Sequence, residues 1–170
     1  PLRAGKGTTF EGGQRVPTIF WGPGIIKPGI VNDMGSTLDI INTFSKLADL
    51  EIPNDRKMDG YDLSNVLISL DSSPRKEFYY WGFAELHAYR YKNLKLHIKQ
   101  REPVNYGRPT IKLDNPELYD LSTDFSEKYD ISSSNQQSVT SMLKSIEKHL
   151  IDVEGSTPDQ LTGRIKNYGN

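Results

Sequence analysis

An uninterrupted apolar run, VPTIFW at residues 16–21, restricts the fold of this chain more than any other feature of its sequence. The turn sequence WGPG at residues 21–24 ends the run. Strands with one solvated face alternate apolar and polar residues, whereas a continuous apolar run suits a strand buried on both faces, as inside an α/β sheet. The run therefore predicts an interior strand, whose edges would be unpaired and prone to association outside such a sheet.

Three segments show helical patterns. The first follows Ser36 or Thr37, either of which can cap a helix, and has Asp39 in its first turn, where a negative charge is favourable. Its apolar stripe ends before Pro53. A helical turn is expected at residues 63–70, and residues 136–153 predict a longer amphipathic helix.

Short aromatic or alternating segments lie between these helices and are separated by turn-length gaps, which is typical of a small antiparallel sheet. The predicted strands are residues 78–81, 89–91, 94–98 and 118–121. Residues 101–116 contain three prolines and are expected to form a long loop, with residues 155–170 as a polar tail.

The composition excludes several classes of function. The chain has 21 Lys and Arg against 22 Asp and Glu, a balance that argues against nucleic acid or an anionic membrane as a partner. No apolar run approaches the ~20 residues that span a bilayer. The absence of cysteine excludes disulfides and thiolate chemistry within these residues. His87, His97 and His149 are too scattered to predict a metal site.

Lys6 is the first candidate for a functional residue. It lies between Gly5 and Gly7, so no neighbouring side chain crowds it, and its ammonium is a compact charge suited to a sulfate or phosphate oxygen. The alternative is a surface loop with a solvated lysine.

The residues around Lys6 form a longer pattern. Residues 2–17 read LRAGKGTTFEGGQRVP, and a hydrophobic run and WGPG follow. This stretch resembles the lysine loop of type I sulfatases, LR-x-GKGTT-[FYW]-EGG-x-R-x-P followed by a strand and W-x-PG. We call residues 2–17 the lysine loop.

The resemblance extends over residues 1–150. It includes STLDIINT at residues 36–43, DGYDL at 59–63, KNLKLH at 92–97, and ELYDLSTD at 117–124 with Glu127. Asn42 and Phe125 stand where the family commonly has proline.

The resemblance implies hydrolysis of a sulfate ester at a site with a formylglycine and a divalent cation, usually calcium. Lys6 matches the sulfate-binding lysine, which would hold a sulfuryl oxygen and stabilise developing charge. The formylglycine motif C/S-x-P-x-R, the metal ligands and the leaving-group histidine would lie upstream of Pro1. We therefore expect this chain to be the C-terminal portion of the enzyme, with no metal site and no turnover of its own.

Other residues of the loop have supporting roles in this interpretation. Glu11 and Arg15 form either an active-site acid and base or an internal pair that shapes the loop. Thr8 and Thr9 are expected to brace the loop through their hydroxyl groups.

His97 and His87 are possible substrate-pocket residues. The alternative for each is a packed histidine with a satisfied hydrogen bond.

The predicted fold is α/β. Residues 1–52 are expected to be the last loop, strand and helix of the large catalytic domain, residues 53–154 a small antiparallel sheet with a covering helix, and residues 155–170 a tail. The expected partners are a sulfated small molecule or glycan and the N-terminal catalytic part, with self-association possible through the exposed strand. The absence of cysteine favours an exported enzyme, periplasmic or secreted.

Two other functions are compatible with the pattern. A phosphodiesterase or phosphonate hydrolase of the alkaline phosphatase superfamily would bind a similar tetrahedral anion, although the GKGTT-x-EGG form favours a sulfatase. A non-catalytic module that binds a sulfated glycan is the second, and the predicted interior strand argues against it.

Overall fold

Both ends of the chain contribute to one of its two compact units. The computed structural model describes residues 1–52, 54–82, 85–100 and 110–156. The sheet unit comprises Pro1–Val16 and Glu77–Asn170, and the helical unit comprises Pro17–Lys76. The domain boundaries predicted after residues 52 and 154 stay predictions.

The sheet unit contains a four-stranded antiparallel sheet in the order β1-β2-β3-β4. Its strands confirm the predicted small antiparallel sheet, and each contains or overlaps a predicted strand. They are β1 Glu77–Gly82, β2 Glu85–Tyr91, β3 Leu94–Gln100 and β4 Ile111–Asp120.

The prediction of a loop at residues 101–116 is wrong from Ile111 onward, and residues 101–109 lie outside the described part of the chain. Pro116 suggested a loop because proline cannot donate a ladder hydrogen bond. It lies in β4, an edge strand, where a missing donor is tolerated.

One face of the sheet packs against the predicted C-terminal helix, which is confirmed as α4 Gln136–Ser156. The apolar core joins sheet and helix and consists of Leu86, Tyr89, Leu96, Leu118, Val139, Met142 and Ile146. Side chains alternate between faces along a strand, so Lys95 and His97, on either side of Leu96, point to the opposite face. That face receives Phe10 and Glu127 and forms the site below.

The helical unit begins its first helix at a capping box. Ser36 accepts a hydrogen bond from the Leu38 N–H, and the Asp39 carboxylate accepts one from the Ser36 N–H at 2.8 Å. A 3-10 turn, Thr37–Asp39, continues into α2, Ile40–Leu47, which confirms the predicted helix start. The predicted turn near residues 63–70 is confirmed as α3, Ser64–Ser69.

Residues 16–21 do not form the predicted strand. Val16, Ile19 and Trp21 are 68%, 90% and 85% exposed. An interior strand needs a hydrogen-bonded neighbour on each side, and the four described strands all lie within residues 77–120 and pair with one another. The prediction is therefore wrong for the described chain.

None of the described helices combines the length and the apolar character that a membrane span requires.

Asp39 also joins the helix start to the rest of the helical unit. Its carboxylate accepts hydrogen bonds from the Arg75 guanidinium and from the Tyr61 N–H at 2.7 Å. Asp39 is 1% exposed and Arg75 is 5% exposed, so removing one partner leaves the other charge buried without compensation.

We expect Asp39→Ala to lower the free energy of unfolding by about 3–5 kcal/mol, the usual cost of breaking a buried pair. Urea unfolding of the chain measures it. Asp55→Ala is the matched control, because Asp55 and Arg56 form an exposed ion pair at 2.6 Å and such pairs contribute about 0–1 kcal/mol. Equal effects of the two substitutions would contradict the assignment.

Candidate active-site loop and its buried support

Lys6 lies exposed in the first turn of the lysine loop. A Cβ placed on Gly5 would meet nothing within 4 Å, which leaves open space beside the lysine. Gly7 has φ of +97°, a conformation that L side chains rarely adopt. The loop backbone therefore requires glycine at residue 7, and the space beside residue 5 is open.

Hydrogen bonds between residues close in sequence close the turn that carries Lys6. The Gly5 carbonyl accepts from the Thr8 N–H at 3.3 Å and from the Thr8 hydroxyl at 2.9 Å. The Gln14 side-chain amide donates to the Thr8 carbonyl at 2.9 Å. These bonds tie the lysine turn to the short helix α1, Glu11–Gln14.

Two glycines let α1 pack directly on the loop backbone. A Cβ on Gly12 would lie 2.4 Å from the Arg3 and Ala4 carbonyl oxygens, and one on Gly13 would lie 2.3 Å from the Thr8 carbonyl oxygen. The Gly12 N–H donates to the Arg3 carbonyl at 2.9 Å. Any side chain at these positions would push the helix away from the turn that carries Lys6.

Arg3 fixes the start of the loop. Its guanidinium lies 4.1 Å from the centroid of the Phe10 ring and donates to the Tyr119 hydroxyl at 3.2 Å and to the Glu127 carbonyl at 2.6 Å. Phe10 in turn stacks on His97 with a centroid distance of 4.8 Å. The loop is thus held on the sheet by a cation–π contact, a ring stack and hydrogen bonds.

Beneath the loop lies a group of ionisable side chains that we call the buried ion cluster: Glu11, Arg90, Lys95, His97 and Glu127. At its centre the Lys95 ammonium donates to Glu11 Oε1 at 2.8 Å and to the Thr9 carbonyl at 2.8 Å, and lies 3.0 Å from Glu127 Oε1. The Arg90 guanidinium lies 3.7 Å from Glu11 Oε2. Lys95 is 0% exposed, and two hydrogen bonds and a second carboxylate compensate its buried charge.

Glu127 contacts three parts of the unit with one carboxylate. Its Oε2 accepts from the Glu11 N–H at 2.7 Å, and its Oε1 lies 2.8 Å from His97 Nε2 as well as near Lys95. Because a carboxylate can only accept, Nε2 carries the imidazole proton. The backbone of Glu127 is left-handed, with φ of +49°.

The charges of this cluster are set by burial and by neighbours. Burial holds the pKa of His97 below its ordinary value, Glu127 opposes this and Lys95 adds to it, so the imidazole is neutral at pH 7. Burial alone would raise the pKa of Glu127, but His97, Lys95 and the Glu11 N–H outweigh it and lower that pKa. Burial raises the pKa of Tyr80, whose ring lies 4.2 Å from the Lys95 ammonium.

The predicted loop residues come together as follows. Arg15 lies 3.8 Å from Glu11 Oε2, one helical turn away, which is the geometry of an internal pair. Thr8 braces the turn through its hydroxyl, whereas Thr9 does so through its carbonyl, and the Thr9 hydroxyl is buried with no hydrogen-bond partner among the described residues. Roles of these residues in catalysis stay predictions.

His97 and His87 are both fully buried. Phe10 and Glu127 hold His97, and a Cβ on Gly82 would lie 2.3 Å from the His87 ring. This geometry is that of packed histidines, the alternative to a pocket role. The pocket roles stay predictions.

Sequence reasoning missed Lys95 and Arg90 and gave Glu127 no role. Lysine is almost never fully buried, so its identity alone predicts a solvated side chain. The available signal was its position in β3, on the same face of the strand as His97 and on the opposite face from Leu96. Among the described residues no group of three or more His, Asp or Glu side chains could hold a metal ion.

The comparisons with known proteins identify the family. Residues 73–166 match the family described as the C-terminal region of aryl-sulfatase. Arylsulfatase A of Bos taurus is 33% identical over 162 residues, a match that covers 86% of this chain and 32% of that protein. The chain belongs to the sulfatase family, and it spans about a third of the length of this relative.

Solved structures agree with this assignment. The PsFucS1 sulfatase from Pseudoalteromonas sp. superimposes with a TM-score of 0.78 at 27% identity, over 91% of this chain and 33% of that one. The structure of Ps i-CgsB in complex with k-i-k-neocarrahexaose gives a TM-score of 0.68 at 28% identity, over 87% of this chain and 31% of that one. The predicted α/β fold with a small antiparallel C-terminal sheet is confirmed.

We expect the chain to lose stability as the pH falls from 7.5 to 5. Unfolded His97 gains a proton near its ordinary pKa of 6.5, while the folded imidazole resists protonation, so the unfolded state binds more protons in this window. The loss is at most about 1.4 kcal/mol per pH unit. Urea unfolding at a series of pH values measures it.

His97→Gln is the comparison, because glutamine keeps a donor for Glu127 and does not titrate. The variant should show a shallower dependence of stability on pH between 5 and 7.5. Equal slopes for both proteins would contradict the burial of a neutral imidazole.

Proposed function

We propose that this chain is the C-terminal part of a sulfatase that hydrolyses sulfate esters, and that it supplies the sulfate-binding lysine, Lys6. The single observation that supports this most strongly is the exposed Lys6 in a glycine-lined turn that rests on a buried ion cluster. A mobile lysine on an ordinary surface would need no such support.

The proposed role of Lys6 follows from its charge and its setting. An ammonium on a preorganised turn can stabilise a sulfuryl oxygen without reorganising when negative charge develops. The space beside Gly5 is open, and the bonds to Thr8 limit the positions that the turn can take. The same chain would form part of the pocket wall beside the anion.

The reaction needs groups that the described residues do not provide. We propose that the formylglycine nucleophile and the divalent cation, calcium in our proposal, are held by the N-terminal catalytic part of the enzyme. Among the described residues no group of His, Asp or Glu side chains could hold this cation, which supports placing its ligands in that part. In this proposal Lys6 binds the substrate anion, and the buried ion cluster holds the lysine loop in place.

The N-terminal catalytic part is also the partner that we propose for residues 16–21. Val16, Ile19 and Trp21 expose large apolar side chains in one short segment. Exposed apolar surface of this kind indicates a site of contact with another protein surface. The chain spans about a third of the bovine relative, so the proposed enzyme has ample further sequence to cover these side chains. Self-association through these exposed apolar side chains is the expected alternative when that part is absent.

We propose a sulfated glycan or a sulfated small molecule as the substrate. The related structure solved with k-i-k-neocarrahexaose supports a carbohydrate. A sulfatase is favoured over a phosphodiesterase, because the bovine relative is an arylsulfatase and PsFucS1 is a sulfatase.

Lys6→Ala in the full-length enzyme should lower kcat for a chromogenic aryl sulfate by about 100-fold or more, the typical effect of losing one group that stabilises transition-state charge. Lys6→Arg should recover only part of the loss, because a planar guanidinium does not replace a compact ammonium. Steady-state kinetics measures both.

Lys144→Ala, at an exposed lysine on α4, is the matched control and should leave kcat unchanged. Wild-type kcat in the Lys6→Ala variant would refute the proposed role.

The 170-residue chain by itself should not hydrolyse the aryl sulfate above the buffer background, because it lacks the proposed nucleophile and cation site. The full-length enzyme under the same conditions is the positive control. Hydrolysis by the isolated chain that Lys6→Ala abolishes would show that the chain carries its own nucleophile.

A further inference from the structure

We infer that Glu127 is the positioning residue of the lysine loop and that its carboxylate sets where Lys6 meets the substrate anion. The inference rests on the proposed function and deepens it. Glu127 lies far from Lys6 along the chain and acts through the loop backbone.

Glu127 holds the loop at both ends. Near the start of the loop, the Arg3 guanidinium donates to the Glu127 carbonyl at 2.6 Å. Beyond the turn, the Glu11 N–H donates to Glu127 Oε2 at 2.7 Å. Lys6 lies between these two attachments, so the segment that carries it is a loop whose ends are fixed by one residue.

The attachment at Glu11 is also the first N–H of α1. The α1 N-cap, Phe10, makes no side-chain cap hydrogen bond, so the helix start depends on an acceptor from elsewhere in the unit. Glu127 supplies that acceptor, and its negative charge strengthens the hydrogen bond. The orientation of α1, and hence of Gly12 and Gly13 against the turn, follows from this bond.

Glu127 is itself fixed on the sheet. Lys95 and His97, neighbours on one face of β3, both contact its Oε1 at 3.0 and 2.8 Å. Its left-handed backbone, at φ of +49°, is a conformation that non-glycine residues adopt only where their surroundings determine it. The sheet thus fixes the position of the Glu127 side chain, and that side chain fixes the loop at Glu11.

Replacing a buried carboxylate that does not position the loop should lower the stability of the fold and leave kcat unchanged. Asp39 provides that comparison, because it is equally buried, accepts backbone N–H bonds and pairs with a buried arginine, but belongs to the helical unit. Glu127→Gln keeps the shape of the side chain and removes its charge, and Asp39→Asn does the same at the comparison site.

Hydrogen exchange in the full-length enzyme tests the attachment itself. Glu127→Gln should speed the exchange of the Glu11, Gly12 and Gly13 amides by about fivefold, because a bond to a charged acceptor is roughly twice as strong as a neutral one. Asp39→Asn should leave these amides unchanged. This readout does not depend on sulfatase activity.

Kinetics tests whether the attachment acts through Lys6. Glu127→Gln should lower kcat by about 10-fold or more, since small misplacements of a positioned group can cost up to about 100-fold. The double variant K6A/E127Q should be no slower than K6A alone, because residues that act as a unit are non-additive. Asp39→Asn should keep kcat within about twofold at a temperature where all variants are folded.

The outcomes separate the two proposals. Wild-type kcat in K6A overturns the role of Lys6, and the inference with it, whatever the amides show. Loss of activity in K6A with wild-type kcat in E127Q, or additive losses in the double variant, overturns the inference alone. Unchanged amide exchange in E127Q also overturns it. If E127Q does not fold, Glu127→Asp keeps the charge, withdraws it by one methylene and is judged by the same measurements.

Discussion

The fold of the sheet unit depends on the pairing of a buried lysine with two buried carboxylates. A cation inside a small sheet is costly unless opposite charges and acceptors surround it. Lys95 in β3 pairs with Glu11 and Glu127, which belong to the two separate segments of the unit. The pairing therefore explains why the first residues of the chain lie on a sheet that begins at Glu77. The same ion pairs therefore hold the lysine loop in place and compensate the buried charge of Lys95.

Much of this fold could be predicted from local pattern. The apolar stripe of α4, the capping residues before α2 and the aromatic strands each express a period or a cap within a few residues of sequence. The lysine loop was recognisable by its resemblance to a family pattern, and the structure requires the glycines of that pattern locally, at Gly7 by φ and at Gly12 and Gly13 by contact with the backbone. Such signals need no knowledge of distant partners.

The errors have the opposite origin. The strand predicted at residues 16–21 needs hydrogen-bonding neighbours, and the described residues supply none. Pro116 suggested a loop, because sequence does not show which strand is at the edge of a sheet. Lys95 and Glu127 could not be assigned, because the burial of a charge depends on a partner that is distant in sequence. Local pattern predicts elements, and it cannot predict which charges they will enclose.

The separation of Glu11 and Glu127 by 116 positions has a consequence for the order of events during synthesis. A ribosome adding about 5–20 residues per second needs roughly 6 to 23 seconds to cover that distance. During this interval the nascent chain already contains the glycine-rich turn but lacks the carboxylate that completes its geometry. The loop can reach its final geometry only after translation has passed residue 127, so its shape depends on a residue that is made well after the loop itself.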